Sequence, residues 1–472
     1  MPRAPNREDD TIAALATPVG EGGLAVIRLS GASALQIAAK GFRGKQDLGA
    51  ATTQTAHVGE FLGADERKID DVVAVVFRQP GSYTGEDVVE ISCHGGVYVS
   101  EQIVRALLEF GARHAAPGEF TKRAFLNGKL DLSQAEAVAD LIHSRASLAH
   151  QASLQQLDGS LSAAVQKLRE RLVNTNALLE LELDFAEDGY EFVDRKRITE
   201  ELEEARQLIE RILGTYQTGR LVREGVKVVI TGSPNVGKSS LLNRLLGEER
   251  AIVTDIAGTT RDTIEETVCF DGLAFQVTDT AGLRPSPDLV EKEGIRRAEK
   301  KVRESDLILL VLDSSRPLSA EDIALGKKVT AELKTANTPA ILVLNKSDLP
   351  DHLGKEGTEF ADTLSLETQI RISCVTGEGI EELRTQLVHC VAKAKIEVTE
   401  RSVLLTNSRH YGAFVRAGQR LDQALGSVKE GRSSELIAVD LRGALEDLGE
   451  IIGEVTSEDI LNSIFSRFCI GK

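Results

Sequence analysis

The stretch from Lys227 to Leu246, KVVITGSPNVGKSSLLNRLL, constrains this chain more tightly than any other. An apolar, largely β-branched run (Val226, Val228, Val229, Ile230, Thr231) leads into Gly232-Ser-Pro-Asn-Val-Gly237-Lys238-Ser239. Leu241, Leu242, Leu245 and Leu246 follow at helical spacing. Strand, phosphate-binding loop and helix are therefore in the order that the motif G-x-x-x-x-G-K-[ST] requires. Glycine lets the backbone wrap close to phosphate, and the helix start turns its free N–H groups and positive dipole end toward it. Lys238 can reach a β- or γ-phosphate, and the Ser239 hydroxyl can ligate Mg²⁺.

At 472 residues the chain is too long for one core, and its length suggests about three domains. No run of roughly 18 apolar residues occurs, so no transmembrane helix is predicted. The start, MPRAPNREDD, carries no apolar signal-peptide core. Cys93, Cys269, Cys374, Cys390 and Cys469 are scattered without a C-x-x-C pair. Such a set reads as reduced thiols of a cytoplasmic protein, mostly buried as small hydrophobes. The formal charge of −17, from 56 basic and 73 acidic residues, argues against strong nonspecific nucleic-acid binding. A local basic patch or a basic partner could still deliver an RNA.

The first segment, to about Asn127, reads as a small α+β unit. A Gly-rich turn at Gly20, Gly22 and Gly23 feeds a strand over Leu24–Leu29. Further strands are predicted over Asp71–Phe77 and Val88–Ser92, with a helix over Val97–Phe110. Arg28 and Glu90 lie inside these strands, and on the residues alone both fit solvent-facing positions. Cys93-His94-Gly95-Gly96 is one Cys beside one His without further ligands, too little for a metal or nucleophile site.

From Ser133 a helical pattern runs to about Phe185, interrupted at Gly159, with Ser133 and Glu136 spaced as a capping box. Leu154, Leu157, Leu161, Val165, Leu168, Leu172 and Leu179 form its apolar stripe. The acids Glu180, Glu182, Asp184, Glu187 and Asp188 read as a solvated face, and a second helix spans Lys196–Tyr216. After about Ile396, helices are predicted over Ser408–Gly426, Ser434–Ile452 and Ser457–Phe465, the last capped within Thr456–Asp459.

Downstream of the phosphate loop, three more signals come in the order a GTPase needs. Asp279-Thr280-Ala281-Gly282 follows an alternating strand; its Asp can hold Mg²⁺ through water and its Gly N–H can sense a γ-phosphate. Asn345-Lys346-Ser347-Asp348 follows a buried strand. A carboxylate at Asp348 can accept from guanine N1–H and the 2-amino group, donors that adenine lacks there, so it selects GTP. Ser373-Cys374-Val375 can bring backbone N–H groups to the guanine oxygen. Between the first two motifs, TDIAGTTRD suits a mobile loop in which Thr259 or Thr260 offers a hydroxyl to Mg²⁺. Leu283 stands where small signalling GTPases carry a water-orienting Gln. Asp288, Glu291, Glu293, a bound cation, or slow intrinsic turnover are the alternatives.

The loop with Asn235, TDIAGTTRD and DTAGLR resemble the TrmE–Era–Septin GTPases. The flanks, ATPVGEGGLAVIRLSG, VVEISCHGG, FLNGKLDLSQAEA and the FCIGK tail, resemble the MnmE (TrmE) family of tRNA-modification GTPases. The fold expected is multidomain α/β plus α, with four segments: an N-terminal α+β folate-binding-like domain over 1–127, a helical domain in two pieces over 128–223 and 394–472, and an inserted Ras-like GTPase domain over 224–393.

The resemblance also implies ligands and roles. Arg28, Glu90, Lys129 and Lys472 match positions for a 5-formyl- or methylene-tetrahydrofolate, which overturns the solvent-facing reading of the first two. Asn235, Val236, Gly237, Lys238, Ser239 and Ser240 match nucleotide-binding positions, as do Thr254, Asp255, Ile256, Ala257, Gly258, Thr259 and Thr260. Ser239 and Thr260 match Mg²⁺ ligands; Asn235, Thr254, Ile256 and Thr259 match ligands of an activating K⁺. Glu291 matches the water-orienting candidate, and Cys469 a candidate for uridine or folate chemistry. The implied partners are a second copy in a homodimer, the FAD-bearing flavoprotein MnmG (GidA) in a heterotetramer or larger assembly, tRNA, and GTP/GDP, with no membrane. Two rivals stay open on the motifs alone. One is an Era-like ribosome-assembly GTPase, though no KH-type GXXG loop is found; the other is a nucleotide switch or scaffold without chemistry of its own.

Overall fold

The computed structural model describes residues 10–184, 195–247, 265–279, 303–336, 338–364, 366, 368–391, 403–466 and 468–472. The chain forms two compact units, one of Met1–Ala139, Gln156–Ala205 and Arg416–Lys472, the other of Asp140–Gln155 and Arg206–Val415.

The first unit carries seven strands: β1 Ile12–Leu15, β2 Gly22–Ser30, β3 Phe42–Gly44, β4 Thr55–Leu62, β5 Lys68–Phe77, β6 Val88–Gly95 and β7 Arg113–His114. They pair in the order β3-β4-β5-β6-β2-β1-β7. Ile27, Leu29, Val89, Ile91, Ile103 and Leu107 are buried in its core, while β4, next to the edge strand β3, alternates exposed and half-buried residues over most of its length as a one-sided sheet should. In the same unit the helix Ser160–Asp184 packs along Ser434–Ile452. Leu161, Val165, Leu168, Leu172 and Leu179 are buried on the first, and Ile437, Leu441, Leu448 and Ile451 on the second. Asp447, 5% exposed, receives Arg416 Nε and Arg420 Nε, each at 2.7 Å.

The long helical pattern is broken further than periodicity implies, into Leu132–His143, Ser147–Leu157 and Ser160–Asp184. Leu154 does not join the stripe; it is 37% exposed on the middle helix. The capping box is also shifted. Asp131 Oδ1 accepts from Gln134 N at 2.9 Å, and Gln134 Oε1 accepts from Asp131 N at 3.0 Å. Asp131 thus satisfies the open N–H group, and Ser133 lies inside the helix, bonded to Asp131 Oδ1 and Ser162 Oγ. Only Cys93 of the five cysteines is buried, and Cys469 is exposed.

The second unit holds a six-stranded sheet: β8 Val226–Thr231, β9 Glu265–Phe270, β10 Leu273–Asp279, β11 Leu307–Asp313, β12 Ala340–Asn345 and β13 Thr368–Arg371. Their order is β13-β12-β11-β8-β10-β9. All neighbours are parallel except β9 with β10. Every residue of β11 is buried, the continuous apolar pattern of a strand covered on both faces. Because the strands are parallel, the loops leaving β8, β10, β12 and β13 all leave from one edge, where α/β sheets place ligands.

Candidate functional site

The phosphate loop leaves β8 at Gly232 and enters the helix Lys238–Leu246 through Gly237. Gly237 has φ +98°, and a Cβ there would collide with Asn345 Nδ2. A Cβ on Gly232 would collide with the Val311 carbonyl oxygen. Neither position admits a side chain, which keeps the backbone itself as the lining. Asn235 takes φ +63°, a conformation asparagine tolerates better than most residues. It is exposed together with Ser239. Lys238 is 7% exposed and donates to the carbonyls of Gly232 and Ser233, each at 2.8 Å.

Asn345 fastens three loops together. Its Nδ2 donates to the Val236 carbonyl at 2.8 Å and its Oδ1 accepts from Cys374 N at 3.3 Å. Ser373 Oγ donates to Asp348 Oδ1 at 2.5 Å and accepts from Val375 N and Thr376 N. The bond from Ser347 N to the Ile372 carbonyl, 3.0 Å, joins the same two loops. Asp348 is exposed with one carboxylate oxygen fixed, the posture a base-reading acid needs. Lys346 sits at φ +68°, held by an ion pair from its Nζ to Asp313 Oδ2 at 2.6 Å. Burial works against ionised Asp313, yet the hydrogen bonds from Lys346 and Ser315 outweigh it and hold the carboxyl below the usual range. Burial pushes the Cys374 thiol up to about 11, so it packs as a neutral group.

In the first unit, Arg28 and Glu90 face each other in register on β2 and β6. Arg28 Nε and Nη2 both reach Glu90 Oε1 at 2.8 Å. The guanidinium lies 5.3 Å from the Tyr83 ring and 5.7 Å from that of Phe120. These side chains are half-buried against one another rather than solvent-facing as the residues alone suggest. Lys472 joins them: burial first, and the charge of Arg28 second, lower its amine below the ordinary lysine range. Lys129 donates to the Pro80 carbonyl at 2.9 Å. Desolvation of a pair this enclosed offsets much of its attraction, so stability gives little reason for an arginine in an apolar strand. Two rings, a carboxylate and two cations in one place suit a flat heterocycle with an anionic tail.

The family described as the MnmE helical domain matches residues 132–469. The family described as GTP-binding protein TrmE N-terminus matches residues 11–129. The tRNA modification GTPase MnmE of Chlorobium phaeobacteroides is 46% identical over 98% of this chain and 97% of its own length. The chain belongs to the MnmE family of tRNA modification GTPases. The MnmE of Christiangramia forsetii is 42% identical over 98% of this chain and 99% of its own. Among solved structures, an Aquifex aeolicus Era bound to GDP.AlF4- covers 41% of this chain and 66% of that one, at 26% identity and a TM-score of 0.28. That overlap is too slight to bear on the fold.

In this MnmE-family chain, Asp279 ends β10 opposite Ile230 of β8, which sets it beside the phosphate loop. Thr254 to Thr260, Thr280 to Gly282 and Glu291 lie outside the described residues. Five neighbours of the two sites escape a reading of the sequence. Tyr83 and Phe120 reach Arg28 from distant segments. Asp313, Arg316 and Asp322 flank the nucleotide loops, and only the Ser319-to-Asp322 spacing, a helix-cap signal, hints at one of them. Among the described residues, no helix is long and apolar enough to cross a membrane.

Proposed function

We propose that this chain is a K⁺-activated, homodimeric GTP hydrolase that modifies tRNA together with the flavoprotein MnmG. The reaction installs an aminomethyl or carboxymethylaminomethyl group on carbon 5 of the wobble uridine, with the one-carbon unit drawn from a tetrahydrofolate. The observation that carries the nucleotide half is Asn345, which bonds both the phosphate loop and the Ser373–Val375 loop. One nucleotide spanning those loops would meet N–H groups and Lys238 at its phosphates and Asp348 at its base.

Lys238 would move from the loop carbonyls to the β- and γ-phosphates, a change of acceptor with little cost. Ser239 and Thr260 would hold Mg²⁺, which neutralises charge on the phosphates. Asn235, Thr254, Ile256 and Thr259 would hold K⁺, whose charge would stand where other GTPases insert an arginine. Glu291 would orient the attacking water in place of the Gln that Leu283 replaces. The Arg28–Glu90 pair, the two rings and Lys472 fit the folate. Glu90 would accept from pterin N–H groups, and the cations would meet the glutamate carboxylates.

The test is reconstitution. Unmodified tRNA incubated with this chain, the flavoprotein, GTP, Mg²⁺, K⁺, a tetrahydrofolate one-carbon donor and either glycine or ammonium should gain the carbon 5 substituent, read by nucleoside mass spectrometry. Omission of GTP should abolish it. Transfer that proceeds equally well without GTP would sink the proposal.

A further inference from the structure

We propose that Arg316 is a positioning residue that couples the phosphate loop to the base-reading loop. The proposal rests on the reading of these loops as the GTP site. Ser233, the second residue of the phosphate loop, is 4% exposed and Asp322 is 2% exposed. The Ser233 hydroxyl donates to Asp322 Oδ1. Asp322 also closes a helix cap: its Oδ2 accepts from Ser319 N at 3.0 Å and Ser319 Oγ at 2.7 Å, and Ser319 Oγ accepts from Asp322 N at 3.1 Å. A cap needs only one oxygen of that carboxylate. The other is spent on the phosphate loop.

Arg316 binds both ends of this contact. Its Nη2 donates to Ser233 Oγ at 3.0 Å and to Asp322 Oδ1 at 3.3 Å, and its Nη1 lies 3.0 Å from Asp322 Oδ2. Its Nε lies 3.8 Å from Asp313 Oδ2, the same oxygen that receives Lys346 Nζ. Charges therefore alternate from Asp322 through Arg316 and Asp313 to Lys346, from a phosphate-loop serine to a base-loop lysine. Burial penalises both carboxylates, but their hydrogen bonds win and keep each below its usual range. A bland helix cap would leave Arg316 in solvent and Ser233 bonded elsewhere. Instead one planar fork fixes the spacing of two loops that grip opposite ends of a single ligand, so the ligand meets them already set.

The experiment titrates a fluorescent GDP analogue into the full chain and measures GTP turnover. Arg316→Gln should weaken GDP binding and raise KM about tenfold, with kcat changed much less, since the groups at the phosphates remain. Arg316→Lys keeps the charge but not the fork and should not restore affinity. Unchanged affinity in Arg316→Gln, or full rescue by Arg316→Lys, overturns the assignment. If Arg316→Gln fails to fold, a cycle of the milder Ser233→Ala and Asp313→Asn decides. Coupled loops predict a double variant that binds roughly fivefold tighter than the product of the single losses. Effects that multiply to within about twofold contradict the coupling. Failure of the unaltered chain to bind any guanine nucleotide would instead overturn the GTP-site reading.

Discussion

Along one edge of the six-stranded sheet, each loop of the nucleotide site follows directly from the strand that carries it: Gly232 from β8, Lys346 from β12, Ser373 from just beyond β13. In the other unit, Arg28, Tyr83, Glu90, Phe120 and Lys472 meet only because two antiparallel strands, a loop, a helix and the chain end converge. The first site is written in short contiguous motifs that combine backbone and side-chain groups. The second is written in single side chains separated by up to most of the chain. Residues that gather along one parallel-sheet edge are thus local in the sequence, and those that gather from strands, a loop and a helix are dispersed.

Breaking one site should leave the other intact. The largest effect expected is from Lys238→Ala, which removes the cation next to the phosphates. GTP turnover should fall on the order of 100-fold or more, while folate binding, read by fluorescence titration, stays unchanged. A parallel loss of folate affinity would mean that the two sites are not separable.

Arg28→Ala should weaken tetrahydrofolate binding by roughly tenfold to 100-fold, the range for loss of a charge-assisted hydrogen bond, with GTP turnover unaffected. Retained folate affinity in that variant would move the ligand elsewhere.

The smallest effect concerns Lys472. Its amine, lowered by burial and by Arg28, is a cation below its own pKa and loses that charge as pH rises through it. Folate affinity should therefore decline several-fold before the ordinary lysine range of about 10.4 is reached. Lys472→Arg should shift the decline to higher pH. An alkaline limb that ignores that substitution would take Lys472 out of the site.

The contrast also explains what could be read in advance. Alternation and β-branching place β8 and β12 to within a residue and leave β5 and β6 each three residues short at one end, and the helix Ser434–Ile452 matches its predicted bounds because its apolar spacing is regular. The capping box lies two residues earlier than Ser133–Glu136, because Asp131 and Gln134 have the same spacing and cap the helix reciprocally, and spacing alone does not arbitrate. Leu154 fell out of its stripe because breaks on either side of the Ser147–Leu157 helix reset the phase. In the nucleotide site, Asn345, Asp348 and Ser373 were legible as motif residues, whereas Asp313, Arg316 and Asp322 were not, since their contacts join segments far apart in the sequence. Arg28 and Glu90 carry no local signal at all. Only their cross-strand register makes them a pair.

The most direct test of the account is GTP turnover by the purified chain in KCl against NaCl at equal ionic strength, which removes general screening as a cause. Turnover should be at least about tenfold faster in KCl, on the order expected when a fixed charge meets the charge developing on the phosphates. Equal rates in the two salts would contradict it, leaving the nucleotide site without the cation that is meant to replace an arginine.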